Sequence, residues 1–148
     1  MQLYLIAVLA VILSACASAP DRSVLSKTGE FETSWEEQGE SSKYLYARGM
    51  GAADAKLTNE TQKKALARNA AIVNGQYNML SVVRGAMLTG GINVQAAMEK
   101  DSKLGTHIQS LIRGAQVTRT QWSNDSGCVV SLRLPKSSLK AAGLQLRE

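Results

Sequence analysis

Few residues in this chain carry reactive groups, and their spacing limits what they can do. The thiols are Cys16 and Cys128, and the single imidazole is His107. His107 stands among Thr106, Ile108 and Gln109, with no cysteine or second histidine near it. A metal site would have to gather scattered acids. No Gly-x-Ser-x-Gly elbow offers a nucleophilic serine, and no isolated carboxylate pair offers an acid and a base. The pattern points away from an enzyme, with no cofactor and no metal expected. Gly49-Met50-Gly51 follows a strand-like run and precedes a helical one, the setting of a dinucleotide-binding turn. Its third glycine position is Asp54, a carboxylate where a pyrophosphate would sit. The two glycines are therefore read as tight-turn and close-packing residues.

Cys16 has the clearest chemical setting. Residues 3–13 are apolar except for Tyr4, a signal-peptide core too short to span a bilayer as a helix. It ends in Leu13-Ser14-Ala15-Cys16. This looks like the bacterial lipobox, in which a branched residue and two small residues precede a cysteine. That resemblance implies diacylglycerol on the Cys16 thiol and cleavage before it, so residues 1–15 would be removed. No Lys or Arg precedes the core, a departure from the usual pattern. Ala17 after the cysteine favours the outer membrane by the same resemblance. Several acyl chains on one residue hold a protein stably on a membrane. Cys128 is then left as a lone thiol in Gly127-Cys128-Val129-Val130, read as a small buried strand residue.

Charge divides the mature chain. Residues 17–42 hold two bases against six acids, a net −4, whereas residues 43–148 hold fifteen bases against six acids, a net +9. The first stretch is rich in Ser, Glu, Thr and Gly and too poor in apolar groups to fold alone. As a flexible acidic tether, residues 16–42 would reach about 90 Å when extended. Phe31 and Trp35 are its large aromatic groups. Residues 43–148 form the single expected domain. Its basic surface fits phosphate-bearing or acidic partners, or is a solvated face; Lys56, Lys63, Lys64 and Arg68 are the candidate contacts for an anionic partner. Export argues against nucleic acid.

The elements around these residues follow from periodicity. Residues 44–48 alternate as a strand, with Tyr44, Tyr46 and Arg48 on one face and Leu45 and Ala47 on the other, and a turn is expected at 49–53. A long helix is expected over 59–84, capped by Asn59 with Gln62 three residues on. At about 100° per residue, Leu66, Ala70, Val73, Tyr77 and Leu80 form one apolar stripe, with Ala65, Ile72, Met79 and Val83 beside it. One sheet would cover one stripe, and a second element or subunit the other. Ala67, Ala71 and Gly75 recur every four residues, which lets a neighbouring backbone come close; they also read simply as good helix formers beside one tolerated glycine. With Ile72, Met79 and Trp122, these three are the candidate interface between subunits. A bend is expected at Gly90-Gly91, a second helix over 95–113 and a hairpin of strands 115–122 and 128–134. Residues 136–142 then make a short helix or turn ended by Gly143.

The order of these motifs resembles the LPP-twenty-type family of bacterial envelope lipoproteins. The residues that carry it are Ala47-Arg48-Gly49-Met50-Gly51, Ala65-Leu66-Ala67-Arg68-Asn69-Ala70-Ala71 and Tyr77-Asn78-Met79-Leu80. Further on come Ile112-Arg113-Gly114-Ala115-Gln116-Val117, Trp122, and Val129-Val130-Ser131-Leu132-Arg133-Leu134-Pro135. The likeness covers residues 43–135 and rests on small and apolar residues, not on a chemical signature. It implies an α+β fold, a small antiparallel sheet packed on one long helix plus a shorter helix. It also implies a non-enzymatic envelope role, with flagellar or other envelope proteins as further partners; the lipobox adds an outer-membrane lipoprotein with its domain facing the periplasm, and the wide apolar arc of the helix with the opposed charges of tether and domain suggests self-assembly. One branch of the family builds a ring or disk around the flagellar motor. The alternative is a monomeric periplasmic binding module for cell wall or anionic lipid.

Overall fold

The computed structural model describes residues 22–25 and 39–147. Cys16, Phe31 and Trp35 lie outside them. The strands are β1 (Arg22–Leu25), β2 (Gly39–Glu40), β3 (Tyr44–Gly51), β4 (Gln116–Trp122) and β5 (Cys128–Pro135). The helices are α1 (Glu60–Gly85), α2 (Val94–Lys100), α3 (Ser102–Arg113) and α4 (Lys136–Ala141). Together they form an α+β fold, with one sheet in the order β1-β4-β5-β3-β2. All pairs are antiparallel except β1 with β4, which is parallel.

Alternation in the strands sets the two faces of the sheet. Leu45, Ala47, Gly49 and Gly51 of β3 lie opposite Leu134, Leu132, Val130 and Cys128 of β5. This is the core face, joined by Met79 and Val83 from α1, Ile108 and Ile112 from α3, and Leu139 from α4. Cys128 is buried in it, as its sequence setting implies. Tyr44, Tyr46, Arg48 and Met50 point to the other face, beside Val129, Ser131 and Arg133.

α1 starts where the cap predicts. The Asn59 side chain accepts from the Gln62 amide at 3.0 Å. Where the helix meets the sheet, the structure departs from expectation. β3 does not turn at Gly49 but runs on to Gly51, opposite Cys128. The two glycines serve close packing inside a strand. A Cβ built on Gly49 would lie 2.0 Å from the Ala71 carbonyl oxygen, and one on Gly51 would lie 2.3 Å from that of Ala67. Helix and strand touch backbone to backbone. Asn78 and Asn74 fasten the seam: Asn78 Nδ2 donates to the Arg48 carbonyl at 2.7 Å, and Asn74 Oδ1 accepts from the Met50 amide at 3.0 Å.

Other elements differ in detail. The expected helix over 95–113 is two helices, split at Asp101, whose carboxylate caps α3 through Lys103 and Leu104. The Gly90-Gly91 bend is present, with Gly91 at φ +78° and a Met87–Asn93 bridge closing it. The hairpin β4–β5 is present, and its turn holds Ser126 at φ +63°. Two pieces of the expected tether are strands. β1 adds to the β4 edge of the sheet, and β2 to the β3 edge.

Candidate functional site

The buried side of α1 is the row Ala67, Ala71, Gly75, Met79 and Val83. Four of these were expected to face another subunit; instead Ala67, Ala71, Gly75 and Met79 are sealed inside the domain. The reason is steric. Only small side chains at 67, 71 and 75 let the helix backbone reach the Gly49 and Gly51 backbone, while Met79 and Val83, farther along the helix, fill the core.

Of the two apolar stripes expected on α1, the second sends Met79 and Val83 into the core and the first points outward. Leu66, Val73 and Tyr77 are 44%, 66% and 72% exposed. At about 100° per residue, the row 67–83 and the stripe 66–80 are centred on opposite sides of α1. Ala70 lies within the outward stripe and is exposed, while Leu80 is half-buried at its end. Shallow grooves flank Tyr77 and Leu80, one bordered by Gln109, Ile112 and Arg113, the other by Arg84, Asn93 and Gln95. Isolated exposed apolar residues are ordinary on a surface, and Leu66, Val73 and Tyr77 stand out only in being aligned along one side of the helix.

The other expected interface residues divide. Ile72 is half-buried at the margin of the core. Trp122 is also half-buried, with the Lys64 ammonium 5.9 Å from its ring centroid. Of the four candidate bases, Lys63, Lys64 and Arg68 lie on the first turns of α1, with Arg68 half-buried, and Lys56 precedes the helix. Lys63 pairs with Glu60 at 3.2 Å, Lys64 lies over Trp122, and Lys56 is on the turn before α1, its amide bound by Asp54. Glu60 also accepts from the Ser126 hydroxyl at 3.1 Å, tying the start of α1 to the β4–β5 turn. The hydrogen bond from Lys63, followed by that from Ser126, holds the Glu60 carboxyl below its ordinary value. His107 is exposed on α3.

Sequence reading missed a second basic site. Lys43, Lys136, Lys140 and Arg147 border a groove of about 750 Å³ with Tyr44, Pro135, Leu144 and Leu146 among its lining. Strand pairing, which no local sequence pattern announces, brings its members together. Tyr44 opposite Pro135 forces Lys43 and Lys136 together, and the Lys136 amide donates to the Lys43 carbonyl at 2.9 Å. Lys136 also forms an ion pair with Glu40 of β2.

Among the described residues no helix is long and apolar enough to cross a membrane, and no group of His, Cys, Asp and Glu is placed to hold a metal ion. No protein-family model, curated protein or solved structure matches this chain.

Proposed function

We propose that this chain is a structural lipoprotein of the bacterial outer membrane, held by lipid on Cys16 and assembled with copies of itself through the outward face of α1. The observation that carries assembly is the exposed stripe Leu66, Val73 and Tyr77 on a helix whose opposite side is already filled by its own sheet. Lipid anchoring supports the same reading. It confines copies to one surface and raises their effective concentration, so a modest apolar stripe can suffice. Resemblance to the envelope lipoproteins adds the finer proposal, a ring or disk component around a flagellar motor.

Light scattering on the lipidated protein in detergent tests assembly: a mass above the monomer that grows with concentration is expected, and a monomer at every concentration refutes it. Replacing Cys16→Ser should move the protein from the membrane to the soluble fraction, and continued membrane attachment refutes the anchor. A deletion strain that swims normally refutes the flagellar role while leaving the envelope role.

The groove bordered by Lys43, Lys136, Lys140 and Arg147 supports a second reading, a module that binds cell wall or anionic lipid. Its basic rim and apolar lining suit an anionic group carried on a hydrophobic or sugar body. Binding of monomeric protein to sacculi or anionic vesicles, lost when Lys140 and Arg147 become Gln, would favour it.

A further inference from the structure

Four bases gather at one end of the sheet, around the groove of about 750 Å³. Lys43 leads into β3, Lys136 and Lys140 lie on α4, and Arg147 follows the bridge that Leu146 makes with Leu88. Lys136 is paired with Glu40, whereas the other three are exposed. None of the described residues lining the groove is acidic. Ser42, Ser137 and Thr89 add hydroxyls, and Pro135, Leu144 and Leu146 add an apolar wall. Cations and hydroxyls beside an apolar wall suit a phosphate joined to a hydrocarbon body. The bases at the start of α1 are placed differently: Lys63 pairs with Glu60, and Lys64 lies over Trp122.

Topology ties the groove to the anchor. The groove lies at the end of the sheet where Tyr44 is opposite Pro135. β1 is parallel to β4, with Arg22 opposite Arg119 and Leu25 opposite Trp122. In β4, Gln116 is opposite Arg133, and Trp122 is opposite Cys128. β1 therefore runs away from the groove end. Its residue nearest that end, Arg22, is also the one nearest Cys16 in sequence. Arg22, Arg119 and Ser131 align across three strands. Pro135, four residues past Ser131, is about 13 Å farther along the strand, and β1 and β5 are two strand spacings, about 10 Å, apart. Arg22 and the groove end are thus about 16 Å apart. Cys16 lies outside the described residues, yet six chain steps keep it within about 20 Å of Arg22. A bilayer that holds Cys16 can therefore touch the groove.

We propose that the groove takes the phosphate of an anionic lipid headgroup in the same leaflet that holds the acyl chains of Cys16. This commits the second reading above to lipid, and for the shared leaflet it rests on the lipid reading of Cys16. One leaflet then holds the chain at two points, and the β4–β5 turn stands at the end away from the membrane. Weak electrostatic capture suffices, because the anchor keeps the groove at high effective concentration beside its ligand.

Vesicle flotation of the Cys16→Ser protein tests the groove without the anchor. It should bind vesicles mixing phosphatidylglycerol with phosphatidylcholine, lose them as salt rises, and ignore pure phosphatidylcholine. Changing Lys43, Lys140 and Arg147 together to Gln should weaken binding at least about tenfold, since each base near such a surface contributes about fivefold. Changing Lys56, Lys63 and Lys64 together to Gln should leave most of it. All three groove side chains are exposed, so the unfolding midpoint should stay, which checks the fold. Equal binding to both vesicles, a groove variant that binds like its parent, or an α1 variant that loses as much would overturn the proposal. Binding to sacculi without binding to the mixed vesicles would assign the groove to cell wall and also overturn it.

The shared leaflet is tested with the lipidated protein in the mixed vesicles, carrying a dye on Ser137→Cys in the groove or on Asn124→Cys in the β4–β5 turn; Cys128 is buried away from the dye. A quencher attached to lipid headgroups should dim the first dye and spare the second. Equal dimming, or the reverse, would overturn the shared leaflet. Flotation of the lipidated protein with pure phosphatidylcholine reports the anchor alone, so its failure sinks the anchor and leaves the groove to the first measurement.

Discussion

Replacing Gly49→Ala tests the seam on which the domain is built. The added Cβ would lie 2.0 Å from the Ala71 carbonyl oxygen and 2.1 Å from the Gly75 amide nitrogen. Both are backbone atoms of one helix, so no rotamer change relieves the clash. Restoring ordinary contact near 3.4 Å requires α1 to lift by about 1.4 Å. Lifting also loosens Gly75 from Leu132, where the fit is already tight. Overpacking costs about 1–3 kcal/mol where side chains can yield. Here they cannot, so at least about 3 kcal/mol is expected. For a domain of this size each kcal/mol lowers Tm by about 4 °C, which makes the shift at least about 12 °C. The control is Gly85→Ala, at the end of the same helix with nothing within 4 Å of its Cβ. It should leave stability unchanged or raise it by up to about 1 kcal/mol. Urea and thermal unfolding of the Cys16→Ser protein, followed by circular dichroism, measure both. A Gly49→Ala protein within about 1 kcal/mol of its parent would refute backbone-to-backbone docking.

Removing the α1 cap by Asn59→Ala should cost about 1 kcal/mol, read from urea midpoints at constant slope. Leu132→Ala should cost about 2–5 kcal/mol, because Leu132 is buried in the core face against Gly75. Glu60 predicts a pH dependence. Its folded carboxyl is held down by Lys63 and then Ser126, so its stabilising contribution is complete above the ordinary value of 4.5 and is lost as pH falls through the lower folded value. Stability against pH should therefore be flatter in acid for Glu60→Gln than for the parent, and equal slopes would refute the link between α1 and the hairpin turn.

Much of the fold was legible because it is written in local chemistry. The Asn59 cap, the Gly90-Gly91 bend, the β4–β5 hairpin and the short final helix each rest on residues close in sequence. The two faces of β3 and β5 follow from strict alternation. What misled is the packing of α1. Apolar periodicity offers two stripes, Leu66, Val73 and Tyr77 on one and Met79 and Val83 on the other, and does not say which the sheet covers. The actual contact is decided by the partner: a strand with glycines at 49 and 51 accepts only a helix face of Ala67, Ala71 and Gly75. The reading of residues 17–42 as a tether ran out for a related reason. Composition shows that the stretch cannot fold alone, but β1 and β2 need no core of their own when a sheet offers two open edges. The basic groove at Lys43 and Lys136 was hidden because its members meet only through strand register.

The central claim is that the outward stripe of α1 joins copies of this chain. Sedimentation velocity of the lipidated protein in detergent, compared with a Val73→Glu, Tyr77→Glu double variant, tests it most directly. Both side chains are well exposed, so the variant should keep the parent's unfolding midpoint to within about 0.5 kcal/mol. Assembly through α1 predicts multimers for the parent and a monomer for the variant at the same concentration. A parent that sediments as a monomer throughout, or a variant that assembles as the parent does, would contradict it.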